Sequence, residues 1–183
     1  MTQLAPGDEA PNFDLTSTED VVLMLRDEVS RTAALLYFFD AADEACREPL
    51  ATLAAGWSRL GRHRARVFGV ATADVEVLKE LQSELSLPFP LLSDDRGFSA
   101  QYGVTAPAED QSPPPALVLV DRRQRIAWMA NPAPAMGEAL DAVDKVLADL
   151  PGPASNYPKS VVNRVVNWWV NAISRRRPAG TAG

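Results

Sequence analysis

The chain contains one cysteine, Cys46, and one histidine, His63, among its 183 residues. A single cysteine excludes an intrachain disulfide. Metal sites built from Cys and His need more ligands of these two types than the chain contains. We therefore expect neither a metal ion nor another cofactor. A lone cysteine carries little information about the cellular compartment.

Long apolar runs and a concentrated positive charge are also missing. No stretch reaches the roughly 18 consecutive apolar residues of a membrane span. Residues 1–9 carry no basic segment followed by an apolar one, so we expect no secretory signal and a cytoplasmic location. The net charge is -6, and acidic and basic residues are interspersed over most of the length. No strongly basic face is evident, which argues against nucleic acid as the main partner.

What the sequence does contain is a regular alternation of strand and helix patterns. Hydrophobic residues make up 46% of the chain, which is enough for a packed core. The patterns predict strands at 33–39, 66–71, 116–120 and 125–130, a short extended piece at 88–94, and helices at 46–60, 75–85, 98–102 and 136–150. Such an order is typical of an α/β domain with a mixed sheet.

Cys46 occupies a position with chemical potential in this scheme. It follows a buried strand and a short polar loop, and it opens a helix whose apolar positions are Leu50, Leu53 and Trp57. A thiol at a helix N-terminus sees the positive end of the helix dipole, which lowers its pKa and favours the thiolate. Cys46 is therefore either a reactive thiol or a partly buried small residue kept at a helix start.

Four short motifs occur in order along residues 4–150. They are the segment 4–15 with its Gly-Asp, Ala-Pro and Phe-x-Leu pairs, the run Phe-Pro-Leu-Leu-Ser-Asp at 89–94, Gly97 with Gln-Tyr-Gly-Val at 101–104, and the hairpin Val-Leu-Val-Asp at 118–121 with Arg125 and Ile126. This series resembles the redoxin group of the thioredoxin superfamily, which comprises the AhpC/TSA peroxiredoxins and their relatives. The resemblance implies a thioredoxin-like α/β fold with a mixed central sheet flanked by helices.

The resemblance also implies a catalytic role for Cys46, at the position of the peroxidatic cysteine. Peroxiredoxins place a Thr or Ser three residues before it, in a Pro-x-x-x-Thr-x-x-Cys loop, and an Arg at the start of the strand that ends in Val-Asp. In this chain the hydroxyl position is Asp43, the loop lacks the proline, and the Arg position is Pro115. Asp43 is expected to raise the pKa of the thiol by placing a carboxylate near it. Arg47 is a candidate substitute for the missing Arg, although we expect it to point to solvent.

Another branch of the superfamily accounts for Pro115. Thioredoxins carry a Cys-x-x-Cys motif with a cis-proline opposite it, just before a strand. Residues 43–46 resemble that motif with its first cysteine replaced by Asp43, and Pro115 matches the cis-proline position. That first cysteine is the attacking thiol in disulfide exchange, so we expect dithiol exchange to be lost.

The composition changes after residue 150. We expect a redoxin domain over 1–150, a Pro/Gly linker over 151–159, an amphipathic apolar helix over 160–177 and a disordered tail over 178–183. The helix presents a wide apolar arc that something must cover. The candidate contact residues on that arc are Val162, Val165, Val166, Trp168, Trp169 and Ile173.

Three kinds of surface could bury this apolar arc. It can dock on its own domain or a dimer mate, bind a different protein, or lie in a membrane interface. The basic residues stand at one end of the helix rather than along its polar face, which favours a protein over a membrane. We therefore expect a homodimer or a larger protein complex, with no nucleic acid.

Two functions are compatible with these features. In the first, the chain is a peroxiredoxin-like protein with degraded or absent peroxidase activity, and it acts as a binding or assembly component through its C-terminal helix. In the second, it is an active one-cysteine thiol peroxidase. Cys46 would then be oxidised to a sulfenic acid and reduced by an external thiol.

Overall fold

Seven strands and four helices make up the residues that the computed structural model describes, which are 4–105 and 112–150. The strands are β1 (Asp14–Ser17), β2 (Val22–Met24), β3 (Ala33–Phe38), β4 (Ala65–Ala71), β5 (Leu91–Ser93), β6 (Ala116–Val120) and β7 (Ile126–Ala130). The helices are α1 (Leu25–Val29), α2 (Arg47–Arg62), α3 (Val75–Glu84) and α4 (Met136–Asp149). Two short 3-10 turns, Glu44–Cys46 and Phe98–Tyr102, complete the set.

The strands form one mixed sheet in the order β2-β1-β5-β4-β3-β6-β7. Strands β3, β4 and β5 are parallel, and α2 and α3 connect them in turn. The outer strands are antiparallel to their neighbours. All residues of the central strands β3 and β6 are buried, as expected for strands covered on both faces. This arrangement confirms the predicted α/β class with a mixed sheet flanked by helices.

A hydrophobic core lies on each face of the sheet. On one face Leu35 and Tyr37 of β3 pack with Leu50 and Leu53 of α2, and Cys46 belongs to the same buried cluster. On the other face the alternate β3 residues pack against α1, the N-terminal segment and Tyr102. Successive strand residues point to opposite faces, so each core takes every second residue of β3.

Helix α4 packs closely on α2. A Cβ atom built on Gly56 would lie 2.7 Å from Cδ1 of Leu140, so the absent side chain lets the two helices approach. Polar groups fasten the same pair near the end of α2. Arg59 donates to Asp141 and to Asp144 at 2.8 Å each, and Nε2 of His63 lies 3.0 Å from Oδ1 of Asp144.

Two details of the sequence prediction are wrong. The helix predicted from residue 46 begins with a 3-10 turn, and α2 proper starts at Arg47. Trp57, expected on the apolar face, is 42% exposed. Leu50, Leu53 and Leu60 are the fully buried residues of α2, whereas the larger indole of Trp57 on the same face is only partly covered. The predicted linker, C-terminal helix and tail lie outside the described residues.

Candidate active site

Cys46 lies at the carboxyl end of β3, where the chain turns into α2. Its side chain is 6% exposed, and it packs within the core between the sheet and α2. The 3-10 turn that it ends is fixed by Asp43, whose Oδ1 accepts a hydrogen bond from the Ala45 amide at 2.9 Å. The Cys46 amide in turn donates to the Asp43 carbonyl at 3.0 Å. The thiol is therefore held in place by its loop and is largely shielded from water.

Two carboxylates of this loop act on the thiol. Asp43 stands at the position where the resemblance expects a hydroxyl, and one of its oxygens serves as a helix cap. Asp40 accepts a hydrogen bond from the Ala42 amide at 2.9 Å and bonds Ser112 with its other oxygen. Both carboxylates are fixed by local hydrogen bonds, so their charges stay beside the loop.

Burial raises the pKa of the Cys46 thiol, and it is the largest influence. The Arg47 charge lowers this pKa, whereas the charges of Asp43 and Asp40 raise it. The expectation that the helix start favours the thiolate is thus corrected, because desolvation opposes the charged form more strongly. The expected effect of Asp43 on the pKa has the predicted direction.

Arg47 is engaged with another residue. Its Nη1 lies 2.6 Å from Oε1 of Glu84 at the end of α3, and this contact raises the pKa of the guanidinium. We expected a side chain in open solvent; the structure instead places it in an ion pair between two helices. Its charge still reaches Cys46, but Glu84 offsets it from the other side.

Tyr37 is a site neighbour that sequence reasoning missed. It lies on the face of β3 that carries the Cys46 cluster, and its ring stacks on Phe39 with 5.4 Å between centroids. Burial raises the pKa of Tyr37, and the charges of Cys46, Glu48 and Asp43 raise it further. The signal available in the sequence was the alternation of β3, which puts residues 35, 37 and 39 on one face.

Pro115 is not the cis-proline that the sequence predicted. Among residues 4–105 and 112–150 the cis peptide bond is Asn131–Pro132. Pro115 directly precedes β6, and its carbonyl accepts a hydrogen bond from the Ala133 amide at 2.7 Å. Because Ala116 pairs with Phe38, Pro115 does lie at the sheet end that carries Cys46.

The other predicted site residues lie outside the described part of the chain. These are the candidate partner contacts Val162, Val165, Val166, Trp168, Trp169 and Ile173. Within the described residues, no group of three or more His, Cys, Asp or Glu side chains is placed to hold a metal ion. No helix in that same part of the chain has the length and apolarity needed to cross a bilayer.

Several solved structures share this fold. The peroxidoxin BcpB from Mycobacterium tuberculosis is 19% identical, with a TM-score of 0.75 over 82% of this chain and 100% of that one. A cysteine-to-serine mutant of PrxQ from Xylella fastidiosa is 18% identical, with a TM-score of 0.71 over 81% and 98%. The yeast mitochondrial 1-Cys peroxiredoxin is 18% identical, with a TM-score of 0.65 over 78% and 76%. At these identities the likeness concerns the thioredoxin-like fold alone.

Family membership rests on the sequence. No curated protein matches the chain. The model of the AhpC/TSA family matches residues 6–129, which is well over half of the chain and includes Cys46 and both loop carboxylates. The chain belongs to the AhpC/TSA family, and it is a redoxin with a thioredoxin-like fold.

Proposed function

We propose that this redoxin has degraded or absent peroxidase activity and acts as a binding or assembly component through its C-terminal segment. The observation that carries the first half is the environment of Cys46. The thiol is buried, two fixed carboxylates act on it, and the cation beside it is paired with Glu84.

Peroxide reduction by a cysteine makes demands that this environment meets poorly. A thiolate attacks one peroxide oxygen, an S–O bond forms as the O–O bond breaks, and the other oxygen leaves with a proton as alcohol or water. A hydroxyl can orient the peroxide, and a cation can stabilise the developing charge. An ionised Asp43 has no O–H to donate, and it repels an anion instead.

The binding half of the proposal is supported by the sequence of the C-terminal segment. Its apolar residues include Trp168 and Trp169, and each indole can bury on the order of 200 Å². An apolar surface of that size is normally covered by protein or lipid. The redoxin domain itself, as the described residues show, already has both faces of its sheet covered.

A stopped-flow measurement on the reduced full-length protein tests the first half. We expect hydrogen peroxide to oxidise Cys46 no faster than a free thiol, with Cys46→Ser as the baseline. We also expect Asp43→Thr to raise the rate, because it removes a carboxylate and supplies a hydroxyl. Oxidation of the wild type faster than a free thiol by several orders of magnitude would sink the proposal.

A deletion from residue 156 onward tests the second half. We expect the redoxin domain to stay folded while its oligomeric state changes or a partner complex disappears. The result against us would be a truncated protein identical to the full chain in size-exclusion chromatography, in pull-downs and in binding to lipid vesicles, together with water-like tryptophan emission in the intact protein.

A one-cysteine thiol peroxidase is the alternative, and two observations favour it. Cys46 stands at the peroxidatic position of the family, and the Arg47 charge lowers the pKa of its thiol. The structural neighbours include the yeast mitochondrial 1-Cys peroxiredoxin. With no second cysteine in the chain, an external thiol would have to reduce the sulfenic acid.

A further inference from the structure

Segments far apart in the sequence meet at the end of the sheet opposite to Cys46. There β3 and β4 begin and β6 ends, because Ala33 pairs with Ala65 and Ala34 pairs with Val120. The residues that flank these strand ends form what we term the arginine end. Its members are Arg31 before β3, Arg62 and Arg64 before β4, and Arg122, Arg123 and Arg125 between β6 and the start of β7.

Ion pairing divides the arginines of the described residues into two groups. Five have a carboxylate oxygen within 4.0 Å, and they are Arg26, Arg47, Arg59, Arg66 and Arg96. The six members of the arginine end have no such partner among residues 4–105 and 112–150. No basic face was evident along the sequence, because these six residues come from three separate stretches of the chain.

Arg122 is the half-buried member of the arginine end. Its Nε and Nη1 atoms are buried and have no hydrogen-bond partner within the described residues. A guanidinium stays charged at any ordinary pH, so burying its donors without an acceptor is unfavourable. Because these two atoms are shielded from solvent, contacts to a ligand on this surface fall to the exposed members Arg31, Arg62, Arg64, Arg123 and Arg125.

Carboxylates also lie near the arginine end, and each of them offsets part of its positive charge. Oδ1 of Asp121 accepts hydrogen bonds from the backbone amides of Arg123 and Arg125 at 2.8 and 2.9 Å. Glu28 is paired with Arg66. Glu9 also lies at this end, through its backbone bridge to Arg125, and offsets one of the six charges.

Helix α4 ends on the side of the domain that carries the arginine end. Helix α4 starts near the Cys46 end of the sheet, where the Ala133 amide donates to the Pro115 carbonyl. Further along the helix Asp144 contacts His63, which lies just after α2, so α4 runs towards the opposite end. The segment that follows, 151–183, contains five basic residues, two tryptophans and no acidic residue. All 24 acidic residues of the chain precede it.

We propose that the arginine end is a docking surface for an anionic phospholipid membrane. The arginine end and the C-terminal segment are both positively charged, so the segment does not neutralise the arginine end. An anionic surface would attract both of them. A lipid surface offers many phosphates over a broad area, which suits guanidinium groups spread over three chain segments. Tryptophan is enriched at membrane–water interfaces. The basic residues at one end of the predicted C-terminal helix favoured a protein over a membrane, but the domain has basic residues of its own at the arginine end.

This proposal names the partner of the binding role proposed above and rests on that role, but not on the loss of peroxidase chemistry. The test is co-sedimentation of the full-length protein with phosphatidylcholine vesicles, alone or mixed with about one-third phosphatidylglycerol. We expect binding to the mixed vesicles only, and its loss at about 1 M salt, where the Debye length falls to about 3 Å. Absence of binding to the mixed vesicles, or equal binding to both kinds, would overturn the proposal.

Charge-reversal variants locate the surface. Arg31→Glu with Arg123→Glu should weaken vesicle binding by about tenfold or more, because two attractions become repulsions. The matched control is Arg26→Glu with Arg96→Glu, which changes the net charge equally at ion-paired sites, and it should bind like the wild type. Circular dichroism confirms that both variants are folded. If the double variant of Arg31 and Arg123 binds the mixed vesicles like the wild type, or if the control variant loses as much vesicle affinity, the arginine end is not the docking surface.

An acidic protein is the competing partner for a basic face. Poly-L-glutamate provides the probe, compared with the mixed vesicles at equal total charge. We expect the vesicles to bind more tightly, and preferential binding of the polymer would overturn the membrane proposal. The two proposals can fail separately. If the protein binds vesicles through the arginine end but peroxide oxidises Cys46 fast, the proposed loss of peroxidase activity is wrong and the docking surface still stands.

Discussion

Arg47 and Glu84 form an ion pair, with 2.6 Å between Nη1 and Oε1, that joins the first turn of α2 to the last residue of α3. The pair lies next to the only thiol of the chain, and it offsets the one positive charge found to act on that thiol. The same arginine is thus both the neighbour that favours the Cys46 thiolate and a residue held by a carboxylate of another helix.

Replacing Glu84 with Gln should make Cys46 more reactive. The change leaves Arg47 without its counter-charge, so the positive charge beside the thiol acts more fully and the pKa of Cys46 falls. The measurement is the rate of alkylation by iodoacetamide at neutral pH. Glu80→Gln is the matched control, since Glu80 lies on the exposed side of the same helix. Equal rates in the wild type and in Glu84→Gln would show that the pair does not restrain Arg47.

Asp43→Asn should lower the pKa of Cys46 with little loss of stability. Asn caps a helix about as well as Asp, so the hydrogen bond to the Ala45 amide is retained while the negative charge is removed. Alkylation at fixed pH reports the thiolate, and urea unfolding reports the stability. Glu44→Gln, one residue further along the turn, removes a charge that is not among the influences on the Cys46 pKa. A larger gain in rate from Glu44→Gln than from Asp43→Asn would contradict the assigned role of Asp43.

Much of the fold could be predicted because its signals are local. The continuous apolar runs of β3 and β6, and the helical periodicity of α3 and α4, each lie within a short stretch of sequence. The exposure of Trp57 was not predictable, because helical periodicity places Trp57 on the face of Leu50 and Leu53 but does not say how much of a large side chain the neighbouring elements cover. The position of Cys46 was predictable for the same local reasons as β3.

The chemistry of the site was less predictable, because it depends on contacts across the chain. The dipole of a helix start is visible in the sequence, whereas the burial that outweighs it at Cys46 is a property of the packed core. The partner of Arg47 stands on another helix, and the arginine end gathers residues from three separate segments. No local sequence pattern predicts these contacts between distant segments.

Truncation in α2 tests which residues form its buried face. Leu53→Ala should lower the free energy of unfolding by about 2 to 5 kcal/mol, because it leaves a cavity between the helix and the sheet. Trp57→Ala should lower the free energy of unfolding by less than Leu53→Ala does, since 42% of Trp57 is already exposed to water. Urea unfolding at neutral pH compares the two. A greater loss for Trp57→Ala would restore the original prediction that Trp57 belongs to the core.

The hydrogen bond between Arg59 of α2 and Asp144 of α4, which we term the α2–α4 clamp, should make the free energy of unfolding depend on pH in the acid range. The hydrogen bond from Arg59 lowers the pKa of Asp144 from its ordinary value of 3.8. A carboxyl whose folded pKa is lowered stabilises the protein above its unfolded pKa, and this contribution is lost as the pH falls through the folded value. Asp144→Asn should therefore be less stable than the wild type at pH above 3.8, and the difference should shrink in more acidic solution.

The α2–α4 clamp is tested by measuring the free energy of unfolding of the wild type and of Asp144→Asn with a denaturant across the acid range. Asp149→Asn, at the end of the same helix, is the control and should follow the wild type. A difference between the wild type and Asp144→Asn that stays constant with pH would show that the carboxylate charge is not what fastens the two helices.

The titration of Cys46 tests the central claim most directly. The absorbance of the thiolate in the ultraviolet is followed against pH in the full-length protein, with Cys46→Ser subtracted as the baseline. Burial and the two loop carboxylates should hold the pKa of Cys46 above its ordinary value, so that the thiol stays protonated at neutral pH. A measured pKa well below that of a free cysteine, about 8.5, would contradict the account and identify Cys46 as an activated nucleophile.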